Sequence, residues 1–460
     1  MSLWLIFPLI FAVSLFLYFP SLNYFFFQDD WFVLNWVQNS DWLSLLNFRE
    51  DIIYWRPISM PIFFKLGQTV FGINPTGYHL VAFFFHLLNI VLVYYLFCTL
   101  KISKHISLLM SFLYATAAFH FVPISWLSTS SYIIGPTFIF ASLILFFKNR
   151  LILSIFGLTL ALASSEFALT LIPIILLLKN KFQITPKNLT PFAAIAIFYL
   201  ALRFLIFPLP SRGEYQVQLN PKVITNLFWY AAWTFNIPEK VSTIFFFSNL
   251  KGSVQAVLPF VSVLITPLIF LFSFLILAAK KLDLASLTKG FIWFVVGIFP
   301  VLFLPSHTYS MYVVVGSLGI FYILARALDR LKKYQLQIIS VLAIIWFVSS
   351  FLTISFTRSN HWIPNQQAIS RAYIKEIQKQ TQKPPSNTIF LFKPADIRFS
   401  RENKFVLVET EDNVKQSLND QDAVQVIYKD TSLKSIYTTH QKPVSLPSGA
   451  NVIEISPSVN

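Results

Sequence analysis

The 460-residue chain is short of what soluble enzymes usually have in plenty. Charged residues make up 12%, where soluble chains carry about 25%, so an ordinary water-facing surface cannot be built from them. A single cysteine, Cys98, excludes an intrachain disulfide and a thiolate metal cluster. Glycine is scarce, at 12 residues, and neither GxGxxG nor GxxxxGK[ST] occurs, which argues against loops that cradle nucleotides. No internal repeat and no low-complexity stretch is visible. What the chain has instead is apolar mass: 56% hydrophobic residues, 17% aromatic, with 51 Phe. These residues arrive in uncharged blocks of about 15–25, the length that crosses a bilayer.

Eleven spanning segments are expected, near 3–20, 78–100, 106–122, 131–147, 151–163, 166–178, 190–207, 255–278, 290–304, 310–325 and 336–356. The fifth and sixth are short and read as tilted or as a broken pair. The first lacks the basic start and small-residue cleavage site of a signal peptide. With the N-terminus in the cytoplasm, the inside connections 101–105, 148–150, 179–187, 280–289 and 326–335 carry 14 Lys and Arg, and the longer outside connections up to 310 carry 7. This is the positive-inside pattern. It accounts for the net charge of +15 by topology, so no nucleic-acid partner is expected; the partner is the lipid bilayer, in a bacterial cytoplasmic membrane.

Two outside connections, 21–77 and 208–254, are long. Each contains an expected interface helix: 29–46, where Val33, Trp36 and Val37 share a face, and 222–236, where Val223, Ile224, Leu227, Phe228 and Ala231 repeat at helical spacing. After residue 357 charges return and the apolar runs shorten. A helix is expected at 364–382 and strands at 388–392, 404–409, 423–428 and 451–455. The organisation is therefore an all-α polytopic membrane domain over 1–357 and a small extracytoplasmic α/β domain over 358–460.

The polar residues that could do chemistry gather on the outer side. Phe27-Gln-Asp29-Asp30-Trp31 follows the first span. Adjacent carboxylates at a membrane surface repel each other and lose hydration; they read either as a helix N-cap or as a general base with a neighbour that tunes it. Tyr54-Trp55-Arg56-Pro57 sets a guanidinium among aromatics, suited to a lipid phosphate or to snorkelling. His79 and His86, seven apart, share a helix face but are too far apart for one ion without other ligands; polar packing against a neighbouring helix is the simpler reading. Glu166, after Ser164-Ser165, either caps the sixth segment or faces a cavity. Arg203, with Tyr199, lies near the outer end of the seventh span and needs a counter-charge or a phosphate. His307 and Tyr312 lie at the outer end of the tenth span, where aromatic belts form.

This ordered set resembles the GT-C glycosyltransferases, polytopic enzymes that take a sugar from a polyprenyl-phosphate carrier on the non-cytoplasmic side. The resemblance covers about residues 1–360. The acidic pair after the first span, Tyr54–Pro57, Phe71-Gly-Ile-Asn-Pro75-Thr-Gly-Tyr78-His79-Leu80, His86, Asn89, Ser164-Ser-Glu166, Tyr199 and Arg203 are similar to the protein O-mannosyltransferase-like branch and its bacterial and TMTC-type relatives, without the TPR tail of the latter. The chain departs from that branch at Ser128-Thr-Ser-Ser131, where relatives carry an Arg, and at Met311, where they often have another. The resemblance implies inverting transfer of a sugar from a polyprenyl-phosphate donor to an acceptor hydroxyl, on a protein, glycan or lipid. Asp29 would be the base, Asp30 would orient it or the acceptor, and Arg56 and Arg203 would hold the phosphate, with no metal and no cofactor. The alternatives are a lipid-linked saccharide flippase or polymerase, for which repeats and a mid-membrane polar cavity would be expected, and a non-catalytic membrane scaffold.

Overall fold

The computed structural model describes residues 3–49, 51–182, 185–206, 213–242, 260–331, 333–393, 411–438, 446 and 449–456. It is mostly helical, with one small sheet near the C-terminus. The described parts of the expected segments are mainly helical, but not all of them are long enough to cross a membrane. Among the described residues, seven helices are long and apolar enough to cross a membrane: Ile6–Asn23, Pro75–Thr99, Leu127–Phe147, Pro186–Ile206, Val261–Lys281, Leu284–Leu302 and Gln335–Asn360. The third expected span is a bent pair, Lys104–Thr116 and Ala118–Ser125, at 45°. The fifth and sixth, Leu151–Leu162 and Glu166–Leu178, are shorter apolar helices. The tenth is a 3₁₀ turn, Ser310–Val313, followed by the buried helix Ser317–Asp329.

Several of these helices keep large apolar side chains outside. On Pro186–Ile206, Ile197, Phe198 and Leu205 are exposed, as are Phe272 and Leu275 on Val261–Lys281. Stripes of this kind are costly against water and are covered in a bilayer. The connections expected on the outer side meet one another at one end of the bundle. Asp30 reaches Ser128, Arg56 reaches Glu166, Gln218 bonds to Phe303, and Glu239 bonds to Ser310.

The two expected interface helices are placed differently. The first, Asp29–Gln38, is shorter than 29–46 and is followed by a separate 3₁₀ turn, Ser44–Leu46. Its apolar face is not turned to lipid: Trp31, Val33, Leu34 and Val37 are buried in a core shared with Ile369, Tyr373, Phe390 and Val424 of the C-terminal region. The second, Lys222–Thr234, turns Trp229, Tyr230 and Trp233 inward and leaves Ile224 and Phe228 exposed.

The C-terminal region begins as the helix Trp362–Gln380, close to the expected 364–382. Three parallel strands follow, β1 (Ile389–Phe392), β2 (Lys434–Tyr437) and β3 (Val452–Ile455), in the order β2-β1-β3. Ile389 is in register with Lys434 on one side and Val452 on the other. Parallel neighbours need crossovers, and the helices Glu411–Leu418 and Asp422–Tyr428 lie between β1 and β2. Two strand assignments change here. The stretch 423–428 is helical, because a short β-branched run is ambiguous by pattern and this one packs on Asp29–Gln38 through Asn35, which donates to Asp422 (2.7 Å) and Gln425 (2.8 Å). β2 was not anticipated. The expected strand 404–409 lies outside the described residues.

Candidate active site

The acidic half is built where the chain leaves the first span. Gln28, the residue before the helix, has φ 50° and makes no side-chain cap, and neither aspartate takes the N-cap position. Asp30 is buried instead. Its Oδ1 accepts the Ser128 N–H at 2.8 Å and the Ser128 hydroxyl at 2.6 Å, and its Oδ2 accepts the Phe27 N–H at 3.3 Å. Burial pushes its pKa up to about 7, against the opposite pull of the Ser128 and Phe27 bonds. Asp29, one residue earlier, is exposed. The protein around it, and then the charge of Glu214, raise its pKa above the ordinary carboxylate value.

The basic half comes from Tyr54–Pro57. Pro61 has no N–H to donate and its ring crowds the carbonyl four residues back, so Ile58–Ile62 widens to a π turn in which the Ile62 N–H reaches Pro57 O at 2.9 Å. That turn is tied to the 163–166 corner by Ile58 N–H to Ala163 O (3.0 Å) and by the Ser59 hydroxyl to Ser164 O (2.6 Å). Arg56 is thereby brought to Glu166: Nε donates to Oε2 at 2.8 Å. Nη1 donates to Ser131 Oγ at 3.1 Å and Nη2 to Tyr132 Oη at 3.3 Å, and the guanidinium lies 4.2 Å from the Tyr54 ring centre. Glu166 does not cap its helix; the Ser165 hydroxyl does, accepting from Phe167 N–H.

One turn joins the halves. Ser128 binds Asp30, the Ser130 hydroxyl donates to Ser59 O at 2.6 Å, and Ser131 takes Arg56. The serine run that departs from the GT-C pattern is thus a bridge between the acidic pair and the arginine. Close packing holds the Glu166 corner against it: a Cβ on Gly135 would lie 2.7 Å from Ser165 Cβ.

Beside these groups is a cavity of about 260 Å³, lined among others by Tyr54, Arg56, Tyr132, Glu166, Tyr199 and Arg203. Tyr215 and Tyr312 also face it, and the charge of Asp29 reaches both Tyr54 and Tyr215. Arg56 and Arg203 are groups of the kind that bind an anion. Tyr312 is buried, with its ring 5.1 Å from that of Tyr132. His307 stands behind the cavity: its Nδ1 is 3.2 Å from Glu214 Oε2 and its ring 4.1 Å from Tyr215. Burial holds its pKa below the usual value, with the bond to Glu214 opposing.

Other candidates fall elsewhere. His79 is buried between the Ile124 carbonyl (2.9 Å) and the Tyr24 carbonyl (3.2 Å), and His86 lies against Ser14 and the Ala115 carbonyl. Both are packing residues away from the cavity. Trp55 donates to Leu46 O at 2.9 Å and packs on Phe48, shaping the loop. Among the described residues no group of three or more His, Cys, Asp or Glu is arranged to hold a metal ion. Ser128, Ser131, Tyr132 and Tyr215 were not singled out from the sequence, although the Ser128–Ser131 run, noted only for its missing Arg, was the available signal.

No protein-family model matches the chain, and no curated protein matches it. Among solved structures it is similar to an archaeal oligosaccharyltransferase from Archaeoglobus fulgidus. The form with zinc and sulfate gives a TM-score of 0.46 at 15% identity, over 84% of this chain and 60% of that one. The apo form gives 0.45 at 14%, over 84% and 62%. The AglB complex with an inhibitory peptide and a dolichol-phosphate gives 0.41 at 15%, over 84% and 62%. The chain thus spans about three fifths of the length of these proteins.

Proposed function

We propose that the chain is a GT-C-type membrane glycosyltransferase that moves a sugar from a polyprenyl-phosphate donor to an acceptor hydroxyl on the extracytoplasmic side, with inversion. The observation that carries this reading is the division of labour between adjacent carboxylates. Asp30 is buried and saturated by Ser128 and Phe27, while Asp29 is open beside a cavity lined by Arg56 and Arg203. In this reading Asp29 takes the acceptor proton as the hydroxyl attacks the anomeric carbon, and its raised pKa makes it a better base than a free carboxylate. Asp30 holds the turn that aims it. Arg56, with its own counter-charge in Glu166, and Arg203 receive the phosphate and stabilise its charge as the sugar leaves. The membrane part comprises eleven crossings over 1–357 with the N-terminus in the cytoplasm, and 358–460 lies outside.

The test is to purify the protein in detergent and supply a panel of polyprenyl-phosphate sugars, scoring hydrolysis and transfer. Turnover of at least one is expected; none across the panel would end the reading. Reporter fusions at Lys181 and Ser386 should report opposite sides of the membrane, and the same side for both would overturn the topology.

A further inference from the structure

The first and last of the long apolar helices, Ile6–Asn23 and Gln335–Asn360, stand side by side because each is tied to the same third element. The Ser14 hydroxyl donates to Ala115 O at 3.1 Å and the Tyr18 hydroxyl to Ala117 O at 2.6 Å. From the other side the Trp346 indole donates to Leu113 O and to Thr116 Oγ1, both at 3.1 Å. The two helices do not close on each other, and a groove of about 540 Å³ remains between them. We propose that this groove binds one anionic phospholipid, with an acyl chain along its apolar walls and the phosphate on Arg358.

The walls select a hydrocarbon chain. Leu15, Phe16, Phe19 and Phe351 line the groove and are exposed, and the rings of Phe16 and Phe351 lie nearly parallel with centres 6.1 Å apart. The small side chains of Ala12 and Ser355 keep the space between the helices open. Apolar surface of this kind on a membrane-suited bundle is covered by lipid. The charge selects the head group. Among the described residues that line the groove, Arg358 is the one that carries a charge. It lies in the last turn of its helix, at the end of the bundle that carries the candidate site. Its Nη2 donates to Leu17 O at 2.8 Å, one of the carbonyls that a helix end leaves without an intrahelical donor. A carbonyl is neutral, so that bond leaves the positive charge in place, and a guanidinium has five N–H groups. A phosphodiester matches it in charge and in planar fork geometry. A zwitterionic lipid has the same phosphate, but its own ammonium group offsets that charge and is repelled by the arginine.

The place of the groove gives the lipid a consequence. Phe19 and Pro20 line it and lead through 21–28 to the acidic pair. Four residues beyond Arg358, Trp362 packs edge-on against Phe27 at 5.9 Å and against Trp126 at 5.1 Å. A lipid that bridges the two helices therefore braces the chain on both sides of Asp29. It is separate from the cavity of Arg56 and Arg203, with which the groove shares no lining residue, and it requires no sugar donor.

The experiment is native mass spectrometry of the full-length, delipidated protein in detergent, titrated with dioleoyl phosphatidylglycerol or with dioleoyl phosphatidylcholine. One phosphatidylglycerol should bind about tenfold or more tighter than phosphatidylcholine, the size of one charge-assisted contact. Arg358→Gln should level the two lipids at that site. Ala12→Phe should fill the groove and remove the tight site for both. Ala12 is exposed, so this variant folds even if Arg358→Gln, which loses its bond to Leu17 O, does not; thermal melts verify both. Equal affinity for the two lipids in the wild-type protein would mean an unselective lipid coat and overturns the site. So does a phosphatidylglycerol preference that persists in a folded variant. Neither measurement uses a sugar donor, so the lipid site stands or falls apart from the glycosyltransferase reading.

Discussion

The two halves of the site balance charge in different ways. In the basic half Arg56 has its own counter-ion, Glu166, with side chains 12% and 21% exposed. In the acidic half no ion pair to Asp29 or Asp30 occurs among the described residues; Asp30 is compensated by three hydrogen bonds and a raised pKa. A guanidinium stays charged at any working pH, so burying it requires a carboxylate. A carboxylate has another way out, since it can bind a proton. The guanidinium therefore keeps its charge, and the acidic half is the part whose pKa is raised.

The largest effect should come from the acidic half. Asp29→Asn keeps the size and removes the basic oxygen, and transfer should fall roughly 10²–10⁴-fold with sugar-donor binding retained. Asp30→Asn should be milder. Near-native turnover in the first with a dead second would reverse their roles. The next effect separates the partners of the ion pair. Arg56→Ala should weaken sugar-donor binding by about 1.5–3 kcal/mol, and Arg56→Lys should restore only part, having no planar fork. Glu166→Gln should instead show mainly in unfolding, by about 1–3 kcal/mol given the partial exposure of the pair. Equal shifts in affinity for both would mean that the two residues act on the phosphate as one group.

A smaller effect tests which half titrates. The folded pKa of Asp30, about 7, lies above its ordinary value of 3.8. Its contribution to stability is thus fully present below pH 3.8 and is lost as pH rises through about 7. Relative to Asp30→Asn, the wild-type protein should lose stability across that window in thermal melts; parallel profiles would remove the titrating role. The smallest effect concerns the support behind the acidic half. The Trp31 indole donates to Ser370 of the C-terminal region at 2.9 Å. Trp31→Phe should cost about 1 kcal/mol of stability, and no change would mean that the shared core alone holds the helix there.

Much of this was legible in the sequence for a definite reason. Spans are read from length and apolarity because a bilayer requires about 20 residues per crossing, and among the described residues seven of the expected segments are helices long and apolar enough to cross, eight with the bent pair counted as one. The acidic pair and Arg56 stood out because charge is rare in this chain and costly near a membrane. Other features were not legible. Local pattern could not separate helix from strand at 423–428, where packing on Asp29–Gln38 decided. It could not show that the helix 29–38 would be covered by the C-terminal region, since its apolar face is the same against lipid or protein.

By itself, the sequence determined a helical, membrane-suited chain in which most of the acids before residue 358 gather in two long connections. Tertiary structure alone decided which polar groups meet. Asp30 and Ser128 are 98 residues apart, and Arg56 and Glu166 are 110 apart. No helical or strand period relates such positions. Their pairing follows from how the helices stack, through contacts such as Gly135 against Ser165, which press the turn 127–131 between the acidic pair and the arginine. That stacking is also what makes neighbours unlike: Asp29 and Asp30 have the same side chain and adjacent positions, and only the protein packed around them leaves one open and closes the other.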